Sequence, residues 1–179
     1  EMLLVEREKL CLMGDNGSGK TSLIKAVLGE NLDYAGALQM GPSVRPGYIP
    51  QEIRFAGDKA TVLEVFCREA NCGEGRARGL LAKYFFYSDS VHKRAENLSG
   101  GEKVLLKLAI LMQREVNLLI LDEPTNHIDI ETREMLEEAL LQYGGTLFFV
   151  SHDRYFIHKV ADRCVRIAGG KILPGNMPA

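Results

Sequence analysis

The stretch KLCLMGDNGSGKTSLIKAV, residues 9–27, decides the fold. Residues 10–13 are apolar and predict a short buried strand, and residues 20–28 follow a helical pattern that stops before Gly29. Between them, residues 14–21 match the pattern G-x-x-x-x-G-K-[ST] at every position. A strand, a glycine-rich turn and a helix in this order predict a phosphate-binding loop.

The residue types of this loop suit a phosphate anion. Its glycines let the chain curl so that successive N–H groups point inward, and the helix start adds partial positive charge. Lys20 is placed to reach the β- and γ-phosphates, and the Thr21 hydroxyl to ligate Mg²⁺. A plain glycine-rich turn has no need of this Lys-Thr pair. The predicted nucleotide-binding residues of the loop are Gly14, Asp15, Asn16, Gly17, Ser18, Gly19, Lys20, Thr21 and Ser22.

A second motif, LLILDEP at residues 118–124, places two carboxylates at the end of an apolar strand. In open α/β sheets, ligands bind at the carboxyl ends of the strands. Asp122 is therefore predicted to hold the Mg²⁺ shell, and Glu123 to orient or deprotonate the water that attacks the γ-phosphate. Paired carboxylates before a proline can also simply begin a turn. The phosphate loop earlier in the chain favours the functional interpretation.

The stretch NLSGGEKVLLK, residues 97–107, begins another helix. Ser99 and Glu102 have the spacing of a capping box, as do Thr61 and Glu64. A capping box does not require glycine at positions 100 and 101. Two single polar residues, Gln51 in a loop and His152 after an apolar strand, are by themselves typical of solvated or turn positions.

The rest of the pattern predicts strands that alternate with helices, which is typical of an α/β sheet with helices on both faces. Residues 61–114 show helical patterns only and are predicted to form a helical lobe inserted between sheet strands. Gly169-Gly170 is expected to turn a terminal hairpin. The predicted helices cover about 61–70, 76–86, 99–114, 130–143 and 153–161, and the later strands 117–122 and 146–151.

Composition limits the class of protein. With 179 residues, 46% of them hydrophobic, the chain fits one globular domain, and a net charge of −2 gives no general attraction for nucleic acid. No apolar run approaches the roughly 20 residues of a membrane span, and we expect no signal peptide. The four cysteines have no zinc-type spacing, so they are predicted to be small buried hydrophobes in a reducing, cytoplasmic protein. The abrupt start suggests a fragment.

Five motifs, GDNGSGKT, Gln51, LSGGE, LLILDE and His152, stand in an order that resembles the nucleotide-binding domain of ABC ATPases over nearly the whole chain. DEPTNHIDIE at 122–131 and SHDRYF at 151–156 resemble the ABC-F branch. Members of that branch have no membrane segments, carry two such domains in one chain and mostly act on the ribosome, as antibiotic-resistance proteins or translation factors.

The resemblance implies an α/β P-loop NTPase fold and an ATPase that uses ATP and Mg²⁺. It implies that Thr21, Gln51 and Asp122 surround Mg²⁺, that Glu123 is the catalytic carboxylate, and that His152 contacts the γ-phosphate. Asp129 would form the D-loop facing a second domain. The signature segment, which would contact ATP held by that second domain, comprises Ser99, Gly100, Gly101 and Glu102.

The chain departs from the family pattern near its start. Residues 1–13 contain no aromatic residue to stack on adenine, and they are too few for the family's antiparallel subdomain. We therefore expect one N-terminally truncated domain over residues 1–179, with the lobe at about 61–114. The partner would be a second nucleotide-binding domain, in the same parent chain or a second copy, and ribosome contacts would lie in segments outside this chain.

Three classes of function stay open at this point. The first is an ABC-F ATPase that acts on the ribosome. The second is the ATPase subunit of an ABC membrane transporter, and the third is an ATP-binding module that does not hydrolyse ATP. DEPTNHIDIE and SHDRYF favour the first class, and the presence of both Glu123 and His152 argues against the third.

Overall fold

The computed structural model describes residues 2–30, 35–57 and 59–178. The chain divides into two compact units. The first comprises residues 1–48, 116–124 and 144–179, and the second comprises residues 49–115 and 125–143. All of residues 61–114, the predicted helical lobe, belong to the second unit.

The first unit is built on a sheet of six strands in the order β2-β3-β4-β1-β5-β6. Strand β1 pairs in parallel with β4 and β5, and β3 pairs in parallel with β4, whereas β5 and β6 are antiparallel. Gly169 and Gly170, with φ of 54° and 71°, form the hairpin turn between them. The strands are β1 (Lys9–Met13), β2 (Pro46–Ile49), β3 (Leu118–Asp122), β4 (Thr146–Val150), β5 (Arg163–Ala168) and β6 (Lys171–Gly175).

Helices α1 (Lys20–Val27) and α6 (Arg154–Val160) cover opposite faces of this sheet. Ile24 of α1 joins Phe148 and other alternate strand residues in one buried cluster. Successive strand residues point to opposite faces, and Phe149 accordingly meets Phe156 of α6 on the other side, with ring centroids 5.4 Å apart and an edge-to-face angle of 87°. The predicted α/β class, a mostly parallel sheet flanked by helices, is confirmed.

The second unit is helical. Helix α4 packs against the three other helices of the unit, and α2 also packs against α3. Val104, Leu105, Leu108 and Ala109 of α4 are among its buried residues. The helices are α2 (Val62–Ala70), α3 (Glu74–Ala82), α4 (Gly100–Leu111) and α5 (Ile130–Gln142), with 3₁₀ turns at Ser88–His92 and Ala95–Asn97.

The predicted helices are all present, but two have different ends. Helix α3 spans Glu74–Ala82 rather than 76–86, and Phe85 just beyond it has φ of 69°, which a helix cannot include. Helix α4 ends at Leu111 because Gln113 and Arg114 donate to carbonyls three residues back, so residues 112–114 form tighter turns.

The cysteine prediction is half right. Cys11 and Cys164 are buried, in neighbouring strands, as expected. Cys67 and Cys72 are only half-buried, because they lie at the end of α2 and in the turn that follows it rather than in a strand.

Candidate functional site

The predicted phosphate loop lies between the end of β1 and the start of α1. Gly17 and Gly19 have φ of 77° and 101°, a region that glycine enters at little cost. Gly14 has no room for a side chain, because a Cβ there would lie 2.6 Å from Ser18 Oγ and 2.7 Å from Ile167 Cγ2. The loop therefore needs glycine for conformation at two positions and for space at a third.

Lys20 is held at the centre of this loop. Its ammonium donates to the carbonyl oxygens of Gly14 at 2.8 Å and Asp15 at 3.0 Å, and the side chain is buried. An ammonium has three N–H donors, so two bonds to the loop fix its position while a third donor stays available for an anion. Gly19, the residue before α1, has no side chain to cap the helix. The first N–H groups of α1 are therefore not bonded by a capping side chain.

Thr21 and Asp122 come together where α1 begins and β3 ends. The Thr21 hydroxyl donates to Asp122 Oδ2 at 2.9 Å, and Asp122 is buried. A hydroxyl and a carboxylate side by side are oxygen ligands of the kind that Mg²⁺ prefers. Two of the three predicted magnesium ligands are therefore neighbours.

Glu123 and His152 form a pair at the adjacent strand ends. His152 Nε2 lies 3.0 Å from Glu123 Oε1, and the Glu123 N–H donates to the Val150 carbonyl at 3.0 Å. Glu123 is buried with φ of 51°, an uncommon conformation for a residue with a side chain. Its other oxygen, Oε2, is buried and has no hydrogen-bond partner among the described residues.

The surroundings of Glu123 raise the pKa of its carboxyl. Burial is the largest cause that raises the pKa of this carboxyl, and the charge of Asp122 adds to it, whereas His152 and Lys20 oppose the rise. The net result is a raised pKa. A carboxyl with a raised pKa at a strand end is typical of a group that accepts or donates a proton in a reaction.

The signature segment forms the capping box that the sequence predicts, in the second unit. The Glu102 N–H donates to Ser99 Oγ at 3.1 Å, and the Ser99 N–H donates to Glu102 Oε2 at 2.8 Å. Lys93, which sequence reasoning missed, donates to Glu102 Oε1 at 2.9 Å. No sequence pattern identifies Lys93 in advance, because it is nine residues from its partner.

The two glycines of this segment differ in how much space surrounds them. Gly100 is exposed, and a Cβ there would lie 3.8 Å from Ile128 Cγ2, an ordinary contact. Gly101 is buried, and a Cβ there would lie 2.3 Å from Thr132 Cγ2. Glycine is therefore required at 101 for packing within the chain, because it makes room for Thr132 of α5. The contact of Gly101 with ATP of a second domain stays a prediction.

Asp129 caps α5. It accepts from the Thr132 N–H at 2.9 Å and from the Thr132 hydroxyl at 2.7 Å, and these bonds lower its pKa. The spacing D-x-x-T was a cue for this cap that sequence reasoning did not use. Asp129 thus fixes Thr132, the residue that packs against Gly101.

The remaining predicted residues are more loosely placed. Asp15 is exposed and pairs with Arg166 at 3.5 Å, and Ser18 Oγ is buried without a hydrogen-bond partner in the part of the chain that the structure describes. Asn16 and Ser22 are exposed in the loop region. Gln51 is exposed and belongs to the second unit, so its role toward Mg²⁺ stays a prediction.

Tyr48 is a residue near the site that sequence reasoning missed. Burial, followed by the negative charges of Asp122 and Glu30, raises its pKa to about 12. Its phenol stays protonated at neutral pH and can donate a hydrogen bond to the Asp122 carboxylate.

A parallel sheet, a glycine loop closed on a buried lysine, and paired acids at strand ends define a P-loop nucleotide-binding domain. The family model of the ABC transporter matches residues 1–126, and the chain belongs to this family as an ATP-binding domain. F family members are among its curated relatives. A solved ABC transporter of metal-chelate type, in an inward-facing conformation, shares the fold with a TM-score of 0.77 and 20% identity, over 97% of this chain and 74% of that one.

Two curated relatives illustrate the similarity. ABC transporter F family member 5 of Arabidopsis thaliana is 40% identical over 172 residues, which make up 94% of this chain and 25% of that protein. Ribosome protection protein VmlR of Bacillus subtilis (strain 168) is 39% identical over 165 residues, 92% of this chain and 30% of that protein. The chain thus spans about a quarter to a third of the length of these relatives.

Proposed function

We propose that this domain binds ATP with Mg²⁺ and hydrolyses the β–γ phosphoanhydride when it is paired with a second nucleotide-binding domain. The observation that carries the proposal is the grouping of Lys20, Thr21, Asp122, Glu123 and His152 around one end of the sheet. Membership of the ABC family supports ATP as the nucleotide.

The residues present fit a bound Mg²⁺. Thr21 Oγ1 and Asp122 Oδ2 lie 2.9 Å apart, and both are oxygen donors. We assign these two atoms to the metal. Gln51, the third ligand that the family resemblance implies, belongs to the second unit and stays a prediction. Mg²⁺ held by Thr21 and Asp122 would supply positive charge to offset that of the phosphates.

Glu123 is our proposed general base. Oε1 is held by His152 at 3.0 Å, which leaves the buried Oε2 to accept a proton from the attacking water. We assign His152 a second role, as donor to the γ-phosphate, because its side chain is half-exposed beside Glu123. Lys20 and the N–H groups at the start of α1 orient the phosphates.

The signature segment is our proposed contact to ATP held by the second domain. Ser99 and Gly100 are exposed at the start of α4, where helix N–H groups and the helix dipole favour an anion. ATP would then join two domains, and hydrolysis would separate them.

We further propose that the parent protein acts on the ribosome. The support is the similarity to F-type relatives, of which VmlR is described as a ribosome protection protein. The alternative is the ATPase subunit of an ABC membrane transporter. Within the residues that the structure describes, no helix is both long and apolar enough to cross a membrane.

Two experiments test these proposals separately. Binding of a fluorescent ATP analogue to the wild-type domain and to Lys20→Met tests nucleotide binding, and equal affinities would contradict the assigned site. For the ribosome, the parent protein carrying Glu123→Gln is incubated with ribosomes and ATP and then sedimented. We expect co-sedimentation that depends on ATP, and its absence would favour the transporter alternative.

A further inference from the structure

The end of α2 brings two cysteines together. Asn71 ends the helix with φ of 49°, and its N–H and that of Cys72 both point back to the Cys67 carbonyl. The Cys72 N–H donates to this carbonyl at 3.1 Å. This is the bond of a Schellman motif, which is frequently accompanied by a contact between the side chains of the two bonded positions. Here those two side chains are Cys72 and Cys67.

The backbone geometry suits a disulfide. Bridged cysteines need neighbouring backbones, with Cα atoms about 4.4–6.8 Å apart. The bond of 3.1 Å from the Cys72 N–H to the Cys67 carbonyl makes these two residues direct backbone neighbours. Both thiols are free and half-buried, so a small oxidant can reach them. We propose that Cys67 and Cys72 are a reversible oxidation site, a dithiol that peroxide converts to a disulfide across the turn between α2 and α3.

The reaction balances with hydrogen peroxide as oxidant. The sulfur of one cysteine attacks a peroxide oxygen, the O–O bond breaks, and a sulfenic acid and one water form. The second sulfur attacks the sulfenic sulfur, the S–O bond breaks, a second water leaves, and the S–S bond forms. The two thiols lose two protons and two electrons, and one peroxide becomes two waters.

The surroundings of Cys67 disfavour its thiolate form. Burial first, and then the neighbouring Cys72 and Glu74, raise the pKa of the Cys67 thiol, and Arg78 opposes this rise. Because the thiolate is the nucleophile, the raised pKa means that Cys67 attacks peroxide less readily than a free thiol does.

Cys11 and Cys164 supply a matched control in the same molecule. They also face each other, on neighbouring strands, but their relative exposures are 0% and 2%. An oxidant that reaches the pair in the α2–α3 turn has no access to this second pair while the protein is folded.

The sequence makes the test direct, since Arg68 lies between the two cysteines. Folded protein is treated with hydrogen peroxide, blocked with N-ethylmaleimide and digested with trypsin without reductant. We expect peptides 60–68 and 69–76 to be joined by a disulfide that dithiothreitol opens. The peptides of Cys11 and Cys164 should carry no maleimide when the folded protein is blocked, and should carry it when the protein is unfolded before blocking. Cys67→Ser and Cys72→Ser should each lose the joined species and keep the wild-type circular dichroism.

Two results would overturn the proposal. One is that both peptides are recovered separately with maleimide on each cysteine. The other is that each cysteine is oxidised alone, or joined to a second molecule. Neither result depends on ATP binding, so the outcome is independent of the proposed ATPase function.

Discussion

Gly101 packs so closely against Thr132 that a Cβ on Gly101 would lie 2.3 Å from the Thr132 methyl carbon and 3.0 Å from its Cβ. Thr132 cannot simply turn away, because Asp129 holds both its N–H and its hydroxyl. The start of α4 and the start of α5 are therefore fixed to each other through one glycine. This contact joins the signature segment to the segment assigned as the D-loop.

Gly101→Ala should destabilise the protein by about 1–3 kcal/mol, because the added methyl overpacks a tight contact. Urea unfolding followed by circular dichroism measures the change. The double variant Gly101→Ala with Thr132→Ser removes the clashing methyl and keeps the hydroxyl that bonds Asp129, so it should recover part of the loss. Equal stability of Gly101→Ala and wild type would contradict the packing.

Gly100→Ala is the matched control and should behave differently. Its Cβ meets only an ordinary contact at 3.8 Å, and alanine in a helix is favoured over glycine by about 1 kcal/mol. We therefore expect unchanged or increased stability. If Gly100 faces ATP of a second domain, the same variant should lower ATPase activity of the paired protein. If Gly100→Ala lowered both stability and ATPase activity, the loss of activity could be a consequence of unfolding, which would argue against that assignment.

Lys93→Met tests whether Lys93 stabilises the capping box that Ser99 and Glu102 form. Although burial by itself raises the pKa of Glu102, the hydrogen bonds from Lys93 and from Ser99 outweigh burial and lower it. A carboxyl whose pKa is lower in the folded state contributes stability above its unfolded pKa, and this contribution is lost as pH falls through the folded pKa. Lys93→Met should therefore be less stable at pH 7.

For the same variant, the free energy of unfolding should also decrease less steeply than for wild type as the pH is lowered below 7. Unfolding by urea at a series of pH values between about 3 and 7 measures this slope. Lys93→Arg, which keeps the charge, is the control. Parallel curves for Lys93→Met and wild type would show that Lys93 does not act on Glu102.

Much of this arrangement was predictable from local pattern. The phosphate loop and both capping boxes depend on residues within eight positions of one another, so spacing alone predicts them. The contact between Gly101 and Thr132 joins residues 31 positions apart, and it depends on how α4 and α5 pack. The Schellman contact of Cys67 and Cys72 depends on where α2 ends, which pattern places only approximately.

Thr21→Val tests the hydroxyl beside Asp122. Valine keeps the shape and removes the group that bonds Oδ2 at 2.9 Å. Loss of a group that orients or ligates a metal typically lowers metal affinity by about 10–100-fold, so we expect the gain in ATP affinity on adding Mg²⁺ to fall roughly tenfold or more. Isothermal titration with and without Mg²⁺ gives this gain. Thr21→Ser should resemble wild type, and similar values for Thr21→Val would exclude Thr21 from the metal site.

The most direct test of ATP hydrolysis at this site is turnover by Glu123→Gln, measured as phosphate release under conditions in which the wild-type protein is active. Glutamine keeps the shape of the side chain and cannot accept the proton of the attacking water. The proposed role predicts that kcat falls by a factor of about 10²–10⁴ while ATP still binds and is retained unhydrolysed. Turnover at the wild-type rate would contradict the assignment of Glu123 as the general base.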